Sequence, residues 1–207
     1  MKGLYLVTPD WDDTRHLLEA SEAALRGAGE LAAMLQYRHK TADAALRREQ
    51  AECLQALCRT YQCPFIINDF VDLCLELDAD GIHVGGTDLS VAEVRAKVGP
   101  DKIVGASCYG SMELAHAAHR AGASYVAFGG FYPSRVKKYE VTTPLSIVAQ
   151  SKAEIPLPVV VIGGMTRDNA QPLVEQGADM VAAISSVYQA GSAQLAARAF
   201  ADLFVSG

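Results

Sequence analysis

Charged and amide side chains follow several apolar segments of this 207-residue chain. The segment Gln36-Tyr37-Arg38-His39-Lys40 ends one such run, and Asn68-Asp69 ends another. An arginine offers a planar fork to a phosphate, and a lysine offers a compact charge. A carboxylate suits Mg²⁺, which takes one or two protein carboxylates and fills its other positions with phosphate oxygens and waters. These residue types predict phosphate and magnesium chemistry.

The elements that must position these side chains alternate along the whole chain. Apolar, β-rich runs alternate with helical stretches, and several strands follow a glycine that can end a helix, such as Gly122 or Gly177. The strand-like runs are 4–7, 34–37, 65–67, 81–84, 103–106, 125–128, 159–162 and 180–184. The helical stretches are 13–26, 42–61, 69–77, 90–97, 111–121, 144–152, 167–176 and 193–204.

This alternation predicts an α/β protein made of a single (β/α)₈ TIM barrel over residues 1–207. The alternative is an open doubly wound sheet, whose strands would be equally apolar. Such a sheet usually has a glycine-rich first β–α turn, whereas the first turn here is Thr8-Pro9-Asp10-Trp11. The barrel is therefore favoured.

Composition excludes several classes of protein. With 50% hydrophobic and 20% charged residues the chain is not disordered, and a net charge of -6 argues against a nucleic-acid partner. The longest apolar runs fall far short of the ~20 residues that span a bilayer. The five cysteines form no C-x-x-C pair, and no signal-peptide pattern opens the chain. We expect a cytoplasmic protein that binds small molecules and no membrane, with a homo-oligomer left open.

In a barrel, the active site forms where strands end and loops begin. Beyond the two segments above, these ends carry Asp88, Ser107, Ser134-Arg135-Val136-Lys137-Lys138, Gly163-Gly164 and Ser185-Ser186. The glycine pair and the serine pair fit the phosphate cradle that barrels form after strands seven and eight. Asp69 and Asp88 are candidate Mg²⁺ ligands. One cradled phosphate and one metal-bound diphosphate predict two phosphorylated substrates and displacement of diphosphate.

Each motif also has a simpler interpretation. Asp69 opens a predicted helix and could serve only as its N-cap. Arg38 and Lys40 could be solvated charges at the rim. Gly163-Gly164 occurs at many turns that bind nothing. Only the placement of all these residues on one face of a barrel favours the functional interpretation.

Segments spread over essentially the whole chain are similar to those of a known family. They are Tyr5-Leu6-Val7-Thr8, residues 36–40, Ile67-Asn68-Asp69, residues 81–85 with Asp88, Val104-Gly105-Ala106-Ser107, residues 128–137, Ile162-Gly163-Gly164 and Ile184-Ser185. On these segments the chain resembles the thiamine-phosphate synthase family of (β/α)₈ enzymes. The resemblance implies a transferase that joins a hydroxymethylpyrimidine diphosphate to a thiazole phosphate, with Mg²⁺ as cofactor and release of diphosphate.

The resemblance also implies roles for individual residues. On the pyrimidine diphosphate side it implies Gln36, Arg38, Lys40, Asn68, Ser107 and Lys137, and we count Tyr37 and His39 of the same segment as substrate-binding too. Of these, Arg38, Lys40, Ser107 and Lys137 are implied to be catalytic. Mg²⁺ is placed on Asp69 and Asp88. The thiazole phosphate is assigned to Ser134, Val136, Gly164, Ile184 and Ser185.

Two positions depart from the family pattern. A loop that usually has the sequence Thr-x-Thr-Lys is here Ser134-Arg135-Val136-Lys137, and Val136 offers no hydroxyl. A glutamine that often precedes the second metal aspartate is replaced by Gly86-Thr87. Two alternatives stay open: a thiazole tautomerase, a sister enzyme on the same barrel, and a barrel that binds thiamine precursors without turnover, which Val136 suggests. The tautomerase handles one phosphate and no diphosphate, so it would not need Arg38, Lys40, Asp69, Asp88 and Lys137 together.

Overall fold

The computed structural model describes residues 1–85, 89–133 and 143–205, and in them eight parallel strands close into a barrel. The strands pair in sequence order, and the last strand pairs with the first. They are β1 (Gly3–Val7), β2 (Ala32–Tyr37), β3 (Phe65–Asn68), β4 (Gly81–Val84), β5 (Ile103–Tyr109), β6 (Tyr125–Gly129), β7 (Val159–Ile162) and β8 (Met180–Ala183). The predicted (β/α)₈ barrel is confirmed, and the open doubly wound sheet is excluded.

Helices follow the strands on the outside of the barrel. They are α1 (Thr14–Ala28), α2 (Ala44–Thr60), α3 (Val71–Glu76), α4 (Val91–Val98), α5 (Met112–Arg120), α6 (Ile147–Glu154), α7 (Arg167–Glu175), α8 (Ser185–Tyr188) and α9 (Ala193–Ala201). Polar side chains cap several of them, and Ser90 forms a capping box with Glu93. The helix predicted from residue 144 begins only at Ile147, and Thr143 before it donates its hydroxyl to the Gly129 carbonyl at 2.6 Å. The short α8 was not expected from the sequence.

Strand alternation divides the core into two parts. Successive side chains of a strand point to opposite faces, so Leu4 and Leu6 of β1 pack outward against the helices, whereas Tyr5 and Val7 fill the barrel. The inner cluster also includes Met34, Ile66, Tyr125, Val160 and Met180. The residues that can reach a site at the mouth of the barrel are therefore the inward-facing ones nearest each strand's carboxyl end.

Two backbone irregularities lie at those carboxyl ends. The register between β5 and β6 shifts between Ser107 and Tyr109, and Tyr109 has a φ of 52°. Asp69, directly after β3, has a φ of 64°. A positive φ is costly for a residue with a β-carbon, and such residues cluster at functional sites. Both residues line the same cavity, described next.

Candidate active site

A cavity of about 250 Å³ opens at the carboxyl ends of the strands. Polar side chains from β2, β3, β4 and β5 form one part of its wall, and apolar residues of β6, β7 and β8 form the other. Its lining residues are Tyr5, Val7, Gln36, Arg38, Lys40, Asn68, Asp69, His83, Gly85, Ser107, Tyr109, Ala127, Val160, Ile162, Ala182 and Ile184. This is the end of the barrel where the sequence predicted the site.

Arg38 is held at the cavity by the loop that follows β1. Its Nη1 donates to both carboxylate oxygens of Asp10, at 3.1 and 3.3 Å, and its side chain is only 10% exposed. The backbone N–H of Lys40 donates to the same Asp10 carboxylate at 3.0 Å. Thr8 and Arg38 exchange hydrogen bonds between the Thr8 hydroxyl and the Arg38 backbone. Arg38 is therefore a fixed, largely buried cation and not a solvated rim charge.

Asp69 lies at the centre of a compact charged group. Its Oδ2 accepts hydrogen bonds from Lys40 Nζ and from Asn68 Nδ2, each at 2.6 Å. The side chain caps no helix, because α3 has Phe70 at its N-cap position and no side-chain cap bond. The alternative in which Asp69 is only a helix cap is therefore wrong. Its positive φ turns the carboxylate toward the cavity that Lys40 and Asn68 also line.

Two members of the 36–40 segment do not reach the cavity. Tyr37 alternates outward from the barrel, where its hydroxyl donates to Gln50 Oε1 at 3.0 Å and burial raises its pKa. The fully buried side chain of His39 contacts Asp12 Oδ1 at 3.0 Å through Nε2, and its Nδ1 accepts from the Ala42 N–H. Both side chains hold the β2–α2 connection. Their side chains thus make structural contacts outside the cavity, and the substrate contacts expected from the sequence stay a prediction.

Gln36 and Ser107 both line the cavity and connect to its floor. Gln36 Nε2 donates to the Tyr5 hydroxyl at 2.7 Å, and His83 Nε2 lies 2.9 Å from Ser107 Oγ. Tyr5 is almost completely buried, and this burial raises its pKa. These contacts fix the positions of two residues that the sequence assigned to the substrate.

On the opposite side, Ile184 reaches the cavity, whereas Gly164 and Ser185 lie outside its lining. Gly164 has a φ of 64°, and a β-carbon there would collide with the Pro133 carbonyl. Its own carbonyl accepts a hydrogen bond from Asn169 Nδ2 at 2.9 Å. The glycine pair is therefore built into a tight crossing of two loops that leaves no room for a β-carbon.

Four predicted residues lie outside the described residues: Asp88, Ser134, Val136 and Lys137. Among those that are described, the structure brings together Gln36, Arg38, Lys40, Asn68, Asp69, Ser107 and Ile184. Their shared feature is an inward position at a strand end.

Several residues that line the cavity or hold its side chains were not predicted as functional from the sequence. Asp10 and Thr8 belong to the β1–α1 turn, and only their contacts with Arg38 reveal their role. His83 lines the cavity, as do Tyr5 and Tyr109. The period of two in each strand could have found Tyr5 and His83, because both alternate with outward apolar residues. Tyr109 lies beyond the register shift of β5, which this period cannot anticipate.

The donor set suits a hard cation that is shared with a substrate. Asp69 Oδ1 accepts no hydrogen bond from any described residue, while Oδ2 is held by Lys40 and Asn68. Residues 1–85, 89–133 and 143–205 contain no cluster of three or more His, Cys, Asp or Glu that could hold a metal. One or two carboxylates are what Mg²⁺ uses when phosphate oxygens complete its shell. Asp69 is the one carboxylate among the described residues that line the cavity, and it fits that pattern.

In the part of the chain that the structure describes, no helix combines the length and apolar character needed to cross a membrane.

Comparison with known proteins agrees with this geometry. The family model described as thiamine monophosphate synthase matches residues 4–187. The thiamine-phosphate synthase of Janthinobacterium sp. (strain Marseille) is 72% identical over 204 residues, 99% of this chain and 97% of that relative. The thiamine-phosphate synthase of Nitrosomonas eutropha is 43% identical over 204 residues, 99% of this chain and 95% of that relative.

Solved structures give the same result. Thiamine phosphate pyrophosphorylase from Pyrococcus furiosus has a TM-score of 0.82 and 30% identity, covering 99% of this chain and 96% of that chain. Orotidine 5'-phosphate decarboxylase from Pyrococcus horikoshii OT3 has a TM-score of 0.68 at 11% identity, covering 98% and 99% of the two chains, and so shares the fold alone. The family match and the close relatives both extend over nearly the whole barrel, and this chain therefore belongs to the thiamine-phosphate synthase family.

Proposed function

We propose that this chain joins a hydroxymethylpyrimidine diphosphate to a thiazole phosphate and releases diphosphate. The observation that carries the proposal is the meeting of Arg38, Lys40, Asp69 and Asn68 in one cavity whose other wall is apolar. Cations beside a carboxylate with a free oxygen suit a diphosphate that departs together with a divalent metal. The apolar wall from β6 to β8 suits the flat faces of heteroaromatic rings.

The chemistry needs charge stabilisation more than a protein nucleophile. The bond between the pyrimidine methylene carbon and the diphosphate oxygen breaks, and the diphosphate keeps the electron pair. The thiazole nitrogen then supplies the pair for the new C–N bond. Arg38 and Lys40 act by neutralising charge that grows on the departing diphosphate, and Lys137 is proposed to join them. A preorganised group of this kind commonly contributes ~3 kcal/mol, or ~10² in rate.

Asp69 is the described residue proposed to hold Mg²⁺, with Asp88 as the second ligand. When bound, the metal would supply further positive charge for the departing diphosphate. Lys40 Nζ lies 2.6 Å from the Asp69 carboxylate, and its side chain is 50% exposed, so the same ammonium group can also contact the departing diphosphate.

Two other activities are compatible with the barrel. A thiazole tautomerase would act on one phosphate and would not use Arg38, Lys40 and Asp69 together. A precursor-binding barrel without turnover is suggested only by the loss of a hydroxyl at Val136. Neither accounts for a cation pair next to a carboxylate as simply as diphosphate release does.

The deciding experiment mixes the purified protein with both phosphorylated precursors and Mg²⁺. We expect diphosphate and thiamine phosphate to form in equal amounts, the reaction to stop in excess chelator, and Mg²⁺ to restore it. Isomerisation of the thiazole phosphate alone would support the tautomerase, and binding without turnover would support the carrier. Full turnover in excess chelator would refute the metal assignment.

A matched pair of variants tests whether the Mg²⁺ requirement depends on Asp69. Asp69→Asn should lower activity and raise the Mg²⁺ concentration needed for half-maximal rate. Asp168→Asn, at an exposed carboxylate paired with Arg167, should leave both unchanged. Equal Mg²⁺ dependence in the two variants would contradict the role of Asp69.

A cytoplasmic location belongs to the same proposal. All five cysteines are free thiols, which is usual where glutathione and thioredoxin keep thiols reduced. Assembly into a homo-oligomer stays a prediction.

A further inference from the structure

A continuous chain of hydrogen bonds runs under the cavity and joins two of its residues. Gln36 Nε2 donates to the Tyr5 hydroxyl at 2.7 Å, and the Tyr5 and Tyr125 hydroxyl oxygens are 2.7 Å apart. The Tyr125 hydroxyl lies 2.9 Å from His83 Nδ1, and His83 Nε2 lies 2.9 Å from Ser107 Oγ. The hydrogen-bond chain thus begins and ends at side chains that line the cavity, while its three middle members lie in the floor.

The direction of these bonds follows from counting protons. A tyrosine hydroxyl has one proton to donate. Because Tyr5 accepts from Gln36, its own proton finds an acceptor among the described residues only at Tyr125. Tyr125 must then donate to His83 Nδ1, and the imidazole carries its proton on Nε2 and donates to Ser107. The opposite order would leave the buried Tyr5 proton without an acceptor, which is costly.

This order determines what the cavity offers to a ligand. One N–H of the Gln36 amide is used on Tyr5, which fixes the orientation of the amide and leaves its carbonyl oxygen, on the side away from Tyr5, available to a ligand as an acceptor. Ser107 accepts from His83, so its hydroxyl proton is left to point into the cavity. The floor therefore presents the Gln36 carbonyl as an acceptor and the Ser107 hydroxyl as a donor. The order of the hydrogen bonds between them determines both.

We propose that this chain of hydrogen bonds sets the donor and acceptor pattern that the cavity shows to its pyrimidine substrate, with Tyr125 as the positioning residue at its centre. The identity of that substrate rests on the proposed function; the order of the bonds does not. A ligand edge with a complementary donor and acceptor is favoured over one with the opposite pattern. A bridging hydroxyl under the site thereby contributes to specificity without touching the substrate.

The surroundings of Tyr125 hold this arrangement in place. Its ring stacks on His83 at 5.6 Å between centroids and packs edge-on against Tyr5 at 5.8 Å. Burial raises the pKa of Tyr125 well above its ordinary value, so its hydroxyl keeps its proton. Gly105 supplies the space, because a β-carbon there would overlap the Tyr125 hydroxyl and lie 2.6 Å from His83 Nδ1. The contact between the Tyr125 hydroxyl and His83 Nδ1 therefore requires glycine at position 105.

The first test reads the proton position directly. In the ¹⁵N-labelled protein, the imidazole nitrogens of His83, assigned by their loss in His83→Gln, should show Nε2 protonated and Nδ1 unprotonated. A proton on Nδ1, or on both nitrogens, would overturn the proposed order. This measurement needs no substrate, so its outcome is independent of the proposed function.

The second test removes the bridge and keeps the ring. Tyr125→Phe should mix the two His83 tautomers and raise KM for the pyrimidine diphosphate about tenfold, the effect of about one lost hydrogen bond, with KM for the thiazole phosphate unchanged. Tyr5→Phe should raise the same KM but keep the His83 tautomer, because Tyr125 can still donate to Nδ1. Loss of pyrimidine binding in the unsubstituted protein would count against the proposed function, whereas an unaltered tautomer in Tyr125→Phe would overturn the role of Tyr125.

A matched control separates positioning from stability. Tyr188 is another buried tyrosine, and its hydroxyl lies 3.1 Å from Ser21 Oγ outside the barrel. Tyr188→Phe should lower the melting temperature by an amount similar to Tyr125→Phe, with both KM values and the His83 tautomer unchanged. If Tyr188→Phe raises the pyrimidine KM as much as Tyr125→Phe does, the effect is one of stability and the proposal fails.

Discussion

At the scale of single residues, the cations of the cavity differ in how they are held. Arg38 is largely buried and bound to Asp10, whereas Lys40 is half exposed and bound to Asp69. A guanidinium has five N–H donors in a planar fork, so Arg38 can keep Asp10 through Nη1 and still present other N–H groups to a phosphate. A lysine has a single nitrogen, so its ammonium group must share its three N–H donors between a carboxylate and a phosphate.

This difference predicts the effect of exchanging one cation for another. Arg38→Lys keeps the charge and can still pair with Asp10, but it loses the fork. We expect kcat/KM for the pyrimidine diphosphate to fall ~10- to 100-fold, since a hydrogen bond to a charged group contributes ~1.5–3 kcal/mol. Steady-state kinetics together with a melting curve measure the loss of activity at nearly unchanged stability.

The control for this exchange is Arg167→Lys, on an exposed ion pair with Asp168. It should change neither the kinetics nor the melting temperature measurably, because exposed pairs contribute little. Normal turnover by Arg38→Lys would show that the fork is not used on the substrate.

At the scale of elements, strand alternation explains which site residues the sequence could predict. The types and spacing in the 36–40 segment located Gln36, Arg38 and Lys40 at the mouth of the barrel, and all three line the cavity. The side chains of Tyr37 and His39 in the same segment lie outside the cavity, because neighbouring residues of a strand point to opposite faces. Applying the period of two within the motif would have placed Tyr37 on the outer face.

Other features of the site were beyond prediction because they depend on tertiary contacts. The positive φ of Asp69 and the register shift before Tyr109 arise at strand ends, where local sequence preferences do not determine backbone direction. The pairing of Asp10 with Arg38 joins residues 28 positions apart. The barrel itself was predictable since eight strand-like runs alternate with helical ones.

The N-terminus of α7 is held to the loop that contains Gly163 and Gly164. Thr166 and Asn169 form a reciprocal capping box, and Asn169 also donates from Nδ2 to the Gly164 carbonyl at 2.9 Å. The Tyr132 hydroxyl donates to the Asn169 carbonyl at 2.9 Å. The Asn169 side chain therefore caps its own helix and also fixes the Gly164 loop, which the resemblance assigns to the thiazole phosphate.

Comparing Asn169→Ala with a variant that removes only a helix cap should separate the stability of the helix from binding of the thiazole phosphate. Asn169→Ala removes the cap bond and the tie to Gly164, so we expect a loss of about 1 kcal/mol in the free energy of unfolding and a higher KM for the thiazole phosphate alone. Ser192→Ala, which removes the N-cap of α9, should cost similar stability with no change in KM. Equal KM values for the two variants would show that the Gly164 tie has no part in substrate binding.

At the scale of the whole molecule, the barrel buries ionisable thiols and phenols that must stay neutral. Burial raises the pKa of Cys74 from 9.0 to about 11 and that of Cys108 from 9.0 to about 12. The same cause raises the pKa of Tyr5 and Tyr188. In the unfolded chain these groups ionise near their ordinary values, so alkaline conditions favour unfolding.

The sign of this effect follows from proton linkage. Between pH 9.0 and about 11 the unfolded state has lost the Cys74 proton while the folded state keeps it. The unfolded state binds fewer protons, so the free energy of unfolding falls as pH rises, by at most about 1.4 kcal/mol per pH unit for each group. We expect this contribution to be fully present below pH 9.0 and to disappear above the pKa of the folded state.

Cys74→Ala tests this directly through the dependence of the melting temperature on pH. The variant should melt lower than the unsubstituted protein at pH 8, because it loses a packed sulfur that donates to the Gly81 carbonyl at 3.4 Å. The difference between the two proteins should then shrink as pH rises toward 11, since the variant has one fewer group to keep neutral. Cys53→Ala, at a partly exposed cysteine on α2, is the matched control and should keep the alkaline slope of the unsubstituted protein. Parallel curves for Cys74→Ala and the unsubstituted protein would mean that burial of this thiol does not contribute to alkaline unfolding.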